Sequence, residues 1–327
     1  MALNDNRTAL MTGRVDTQGV YPELAARIAR HVDRDGFIQT PLAGLTLIAY
    51  RGAPLRQPEI YDPSLVFVLQ GEKTAFLEDR VIHYGAGHYL VQAIPVPFEC
   101  ESRADAEAPL LGLALRIEPA ILNELVTALP DDAWPDAEPT DIETLPMAAV
   151  VMDERMANAL ARLLDCLDDA LLARAMYHMH VREVIFEALR GPQGHLLRHL
   201  IHERGAYARI AAAINRLHAD YAEPLSVQEL AEAVHMSTSS FHHHFKQMTR
   251  LSPLQYQKRI RLLAARDLLA SRVENVGGAA HAVGYQSISQ FSREYKRYFG
   301  VAPTHDRTPH SSPGSLKISP RDHHAMD

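Results

Sequence analysis

A chain of 327 residues with 47% hydrophobic composition is long for one compact core and suits two domains. No apolar run approaches the ~18–20 residues a membrane span needs, the polar start Met-Ala-Leu-Asn-Asp-Asn-Arg lacks the pattern of a secretory signal, and two cysteines, Cys100 and Cys166, exclude a disulfide framework and fit buried thiols in a reducing cytosol. The net charge of −7 divides unevenly: residues 207–303 hold 12 Lys+Arg against 7 Asp+Glu, residues 1–206 hold 18 against 30, and the tail from Thr304 holds 3 against 3. A basic module joined to an acidic one is the asymmetry expected where a single domain touches phosphate, and so modest an excess implies weak, salt-sensitive binding.

Residues 1–20 lack periodicity and read as a flexible N-terminus. A first domain is expected over 21–194. It opens with a helix over Pro22–Asp33, whose Leu24, Ile28 and Val32 form one stripe. Short β-rich stretches follow at Leu45–Tyr50, Leu65–Leu69, Lys73–Leu77, Val81–Tyr84, His88–Ile94 and Leu110–Arg116, separated by turn residues; this spacing suggests a small sandwich or barrel. The pattern then turns helical at Ala120–Leu129. After an acidic, Pro-rich loop over Pro130–Pro146 come one long helix at Asp153–Arg174 and another at Val181–Arg190, stopped by Gly191-Pro192-Gln193-Gly194. Residues 195–206 form a linker, 207–307 a second, all-α domain, and 308–327 have the composition of disorder.

The second domain contains a repeat. Ser237–Lys246 and Ser287–Lys296 match at an offset of 50, pairing Ser237 with Ser287, Ser239 with Ser289, Phe241 with Phe291, Phe245 with Tyr295 and Lys246 with Lys296. Upstream the offset is 49, pairing Val227, Ala231 and Val234 with Val276, Ala280 and Val283, so the second turn carries one inserted residue. Each copy reads as helix, tight turn, helix, over about 226–247 and 275–298. Ser226 with Glu229, and Ser287 with Gln290, have capping-box spacing. Each second helix presents small polar residues at its start, the pattern of a helix-turn-helix that enters the major groove. Between them, Ser252-Pro253-Leu254-Gln255 starts an unbroken helix to Ala270, about 27 Å long, enough to hold two recognition helices about one DNA turn apart.

Ser-Val-Gln-Glu-Leu-Ala (226–231), Phe-His-His-His-Phe-Lys (241–246), Ser-Pro-Leu-Gln-Tyr-Gln-Lys-Arg-Ile-Arg-Leu (252–262), Val-Gly-Tyr-Gln-Ser (283–287) and Gln-Phe-Ser-Arg-Glu-Tyr-Lys-Arg-Tyr-Phe-Gly-Val-Ala-Pro (290–303) resemble the DNA-binding domain of AraC/XylS-family transcription regulators. Residues 61–73 and 84–91 resemble the cupin-like accessory domain of one branch of that family. The resemblance implies an α+β two-domain fold: a cupin-like β-barrel with flanking helices that binds a small effector, dimerises, or both, then paired helix-turn-helix modules on a linking helix. It also implies double-stranded promoter DNA and RNA polymerase as partners, a homodimer, a cytoplasmic location and, more often than repression, activation.

With Phe241 and Phe245 facing inward, Ser239, Ser240, His242 and His243 are left toward the groove. In the second module Ser289, Gln290, Ser292 and Arg293 hold the matching place. Arg293 can take guanine O6 and N7 together, and the amide of Gln290 is either a base reader or part of the capping box. Lys246, Arg261, Lys296 and Arg297 are expected on phosphate. No cofactor or metal is expected. His83 and His88 lack the His-x-His spacing of metal-binding cupins, His178 and His180 diverge on a helix, and His242–His244 fan over about 200°. Gly277-Gly278 is not a phosphate loop. It opens a helix at a cost of roughly 1 kcal/mol per glycine relative to Ala, which makes the second module the less stable one. The competing readings are a metal-dependent cupin-type enzyme with a DNA-binding tail, and a non-specific architectural DNA binder.

Overall fold

The structure, a computed structural model, describes residues 20–52, 56–130, 134, 146–201 and 205–306. The N-terminus expected to be flexible, most of the acidic loop at 130–146, and the tail expected to be disordered lie outside these residues.

Helix α1 (Val20–Ala29) buries Tyr21, Leu24, Ala25 and Ile28, and Tyr21 Oη donates to the Met152 carbonyl at 2.8 Å. Nine strands follow: β1 (Gly36–Gln39), β2 (Leu45–Tyr50), β3 (Gln57–Glu59), β4 (Ser64–Gln70), β5 (Glu72–Leu77), β6 (Arg80–Gly85), β7 (His88–Gln92), β8 (Phe98–Arg103) and β9 (Leu110–Arg116). After α2 (Pro119–Thr127), β10 (Met147–Val151) completes them. The strands form two antiparallel sheets, one in the order β1-β2-β9-β4-β7-β10 and the other β3-β8-β5-β6. The expected barrel is therefore two sheets sharing one core, not a closed ring. Central β4 is buried along nearly its whole length, with α1 packed against it, which explains why it reads as a continuous apolar run without alternation.

The long helix expected over Asp153–Arg174 is two helices, α3 (Glu154–Asp168) and α4 (Ala170–Arg190). The apolar period runs across the junction, but Asp169 is extended and its carboxylate accepts from Leu171 N and Leu172 N, which starts a new helix. α4 runs on through the segment expected as a separate helix at Val181–Arg190. Beyond the short α5 (Gly194–Arg198) lie six helices: α6 (Ala206–Ala219), α7 (Val227–Ala233), α8 (Thr238–Thr249), α9 (Pro253–Ala270), α10 (Val276–Ala282) and α11 (Ile288–Phe299). α9 opens with Pro253 and a complete capping box between Ser252 and Gln255.

The two helical modules are packed differently. Phe241, Phe245, Tyr256 and Ile260 belong to the same apolar cluster as the two sheets. Leu262, Ala265, Leu268, Val283, Phe291 and Tyr295 form a smaller cluster of their own. α9 contributes to both, so the helix joining the modules also joins the second core to the first.

Candidate nucleic-acid interface

α7 with α8 and α10 with α11 are built by the same local rules. Ser226, Ser237 and Ser287 are N-caps whose hydroxyls accept from the backbone N–H three residues on. In each turn a backbone bond reaches back to the first helix: Met236 N to Ala231 O at 3.0 Å, and Tyr285 N to Ala280 O at 2.9 Å. The residue before it takes a left-handed conformation, His235 at φ 55 in one module and Gly284 at φ 84 in the other. Behind the second helices, Phe241 and Phe245 have ring centroids 5.4 Å apart, as do Phe291 and Tyr295, and all four rings are fully buried.

Burial of those rings fixes the opposite faces outward. Ser239, His242 and His243 on α8 are exposed and Ser240 is half-buried. On α11, Ser289, Gln290 and Arg293 are exposed and Ser292 is half-buried. Lys246, Lys296 and Arg297 are exposed one or two turns further along the same helices. Gln290 uses its amide to donate to Glu294 Oε1 at 3.4 Å, while its backbone N–H is capped by Ser287. The side chain is thus not the reciprocal half of a capping box.

Arg261 departs from the phosphate role. Its guanidinium donates to the Tyr221 carbonyl at 2.7 Å, Ala222 at 3.0 Å, Glu223 at 2.9 Å and Gly284 at 3.2 Å. Burial in this site pulls its pKa down. It is a clamp between the loop entering the first module and the turn of the second, because α9 carries it to where those two backbones meet. Gly284 shows how close they are: a Cβ there would lie 2.0 Å from the Ala222 carbonyl oxygen.

Glu294 plays a supporting part that the sequence reading missed. Lys258 lies 2.7 Å away and the Tyr285 hydroxyl donates at 2.8 Å. Burial works against ionisation, yet the hydrogen bonds from Lys258, Tyr285 and Gln290 hold its carboxyl below the usual range. The charge of an acid in the middle of the otherwise basic helix α11 is thereby compensated. The sequence signal was the Lys258–Glu294 charge pairing, visible only once α9 and α11 are known to touch.

Among the described residues no group of three or more His, Cys, Asp or Glu side chains is placed to hold a metal ion. Among them, too, no helix is long and apolar enough to cross a membrane.

The family model described as the AraC-type transcriptional regulator N-terminus matches residues 41–196, and a helix-turn-helix domain model matches residues 230–308. The chain is 30% identical over 141 residues to the transcriptional regulator GbdR of Pseudomonas aeruginosa, a match covering 42% of this chain and 38% of that protein. It is 34% identical over 101 residues to AlkR of Acinetobacter baylyi, covering 31% of this chain and 33% of that protein. The chain thus spans only between 33% and 38% of the length of these curated relatives. In fold it is similar to the crystal structure of an apo ToxT variant from Vibrio cholerae, with a TM-score of 0.54 at 12% identity, covering 83% of this chain and 97% of that one. Matched in both its halves, the chain belongs to the AraC-type family of transcriptional regulators.

Proposed function

We propose that this chain is a sequence-specific, double-stranded-DNA-binding transcription regulator of the cytoplasm, not an enzyme, and an activator rather than a repressor. In this reading the two-sheet domain takes a small effector, pairs with a second copy, or both, and RNA polymerase is the downstream partner. The observation that carries it is the in-register pair of helix-turn-helix modules, each turning a polar face outward from a buried aromatic pair. Ser239, Ser240, His242 and His243 of α8 and Ser289, Gln290, Ser292 and Arg293 of α11 are assigned to base edges. Hydroxyls and neutral imidazoles suit several bases, whereas Arg293 can grip guanine bidentately, so the second module should discriminate more sharply. Lys246, Lys296 and Arg297 are assigned to phosphate.

Mapping genomic binding sites supplies the operator, and a titration of Arg293→Ala against it then tests the assignment. Affinity for the operator should fall by about 1–3 kcal/mol and affinity for unrelated duplex should hardly move. Equal losses on both would make the protein an architectural binder. One bound equivalent of metal in the purified protein would favour the enzyme reading instead.

A further inference from the structure

The acidic and basic halves of the chain meet at a particular place. Leu77 pairs with Arg80 across the β5–β6 hairpin, leaving Glu78-Asp79 as a two-residue turn. Glu78 sits at φ 49, a conformation that hairpins usually give to Gly or Asn. An L-residue held there costs about 1–2 kcal/mol. The strained residue spends its carboxylate on the DNA-binding half, where Glu78 Oε1 lies 2.6 Å from Arg259 Nη2 on α9. Its neighbour Asp79 and Glu78 itself form one side of a cleft of about 640 Å³ whose other side is His243, Lys246, Gln247 and Arg250 of α8 and its C-cap. Two of those, His243 and Lys246, belong to the face assigned above to DNA. Nearby, the Tyr256 hydroxyl of α9 donates to the Pro95 carbonyl of the sheet domain and is fully buried.

We infer that the Glu78–Asp79 turn is an electrostatic latch: it presents two carboxylates to the basic side of α8 and α9 where a DNA phosphate would otherwise lie, and so holds the first reading module in a docked form that competes with DNA. This rests on the DNA-binding reading of α8. The latch accounts for two things together: why carboxylates stand at a turn whose geometry favours glycine, and why the buried rings of the first module, Phe241 and Phe245, share the apolar cluster of the sheets. DNA binding then requires the hairpin and α8 to part, and anything that favours the parted form raises affinity.

The test uses the full chain with Glu78→Gln and Asp79→Asn together, titrated against a mixed-sequence duplex of about 40 base pairs. Affinity should rise about fivefold or more, the lower end of ordinary inter-site coupling. Glu107→Gln with Glu154→Gln, exposed acids elsewhere in the first domain, makes the same change in net charge and should stay within about twofold of the parent. Glu78→Gly removes the ion pair while relieving the backbone, and should bind more tightly as well. Without DNA, amide hydrogen exchange over residues 246–259 should quicken in both latch variants. If the parent binds DNA and the latch variants bind it no better, or the control pair gains as much, the latch is overturned while the DNA reading stands. If neither parent nor variants bind the duplex at low salt, both fall.

Discussion

His235 at φ 55 and Gly284 at φ 84 occupy equivalent points of the two turns, but their surroundings differ. At Gly284 a Cβ would collide with the backbone of Ala222, a contact that no side-chain rearrangement can relieve. Gly284→Ala should therefore destabilise the DNA-binding half by more than the ~1–2 kcal/mol of the left-handed conformation alone. His235→Gly should have the opposite sign, with a gain of up to about 1 kcal/mol. Denaturant titration of the two variants reads the contrast directly. A larger effect is expected at Asp306, which accepts from Arg266 Nε at 3.1 Å and from the Tyr295 hydroxyl at 2.9 Å with both charged side chains buried. Asp306→Ala leaves Arg266 as a buried cation without this carboxylate and should cost about 3–5 kcal/mol. Replacing both residues by apolar ones of similar size should cost far less, because the charge is then absent rather than stranded.

At the level of elements, α10 is the weak link that its sequence announces. Gly277 and Gly278 lie in its first turn, where Asn275 caps the Gly278 N–H at 2.9 Å. A Cβ on Gly278 would clash with the carboxylate end of Glu274, an exposed side chain, and otherwise make an ordinary contact with that residue's Cβ at 3.6 Å. Gly278→Ala should therefore raise the unfolding free energy by roughly 1 kcal/mol, provided Glu274 swings aside. A loss of stability would mean that the glycine is needed for more than its start of a helix. The same elements show what the sequence could and could not disclose. β2 and β9 were legible to the residue, since their apolar runs end at turn residues on both sides. β8 was not, although Phe98, Cys100 and Ser102 alternate inward, because Glu99, Glu101 and Arg103 between them mimic a polar loop. β10 is Met-Ala-Ala-Val-Val, too short and weakly patterned to distinguish from a buried helical turn. The exposed faces of α8 and α11 were legible because the buried aromatic pairs fix them by periodicity alone. The role of Arg261 was not, since a basic residue on a helix looks solvated until the loops that claim it are brought alongside by tertiary packing.

For the molecule as a whole, the joint between the halves contains two groups whose titrations oppose one another. His218 of α6 places Nε2 2.8 Å from the Tyr256 hydroxyl, which in turn donates to Pro95 across the domain boundary. Burial pushes this imidazole down to about 3. As pH falls below about 6.5 the unfolded chain takes up the proton first, so this group lowers stability steadily until about pH 3. Asp62, close enough to help raise the Tyr256 pKa, behaves in the reverse sense. Burial pushes its carboxyl up to about 6, with Arg116 pulling the other way. Here the folded chain takes up the proton first, so stability rises as pH falls from about 6 to about 3.8. Each contributes a slope of at most about 1.4 kcal/mol per pH unit, and between about pH 4 and 6 the two largely cancel. Removing either should unmask the other. Relative to the parent, His218→Gln should gain stability as pH is lowered from 6.5, and Asp62→Asn should lose it below pH 6. Denaturant midpoints measured at half-unit steps across that range check both signs at once. Parallel curves for parent and variants would show that the joint around Tyr256 is open enough for water to level both groups, and the docked arrangement on which the latch depends would then fail with it.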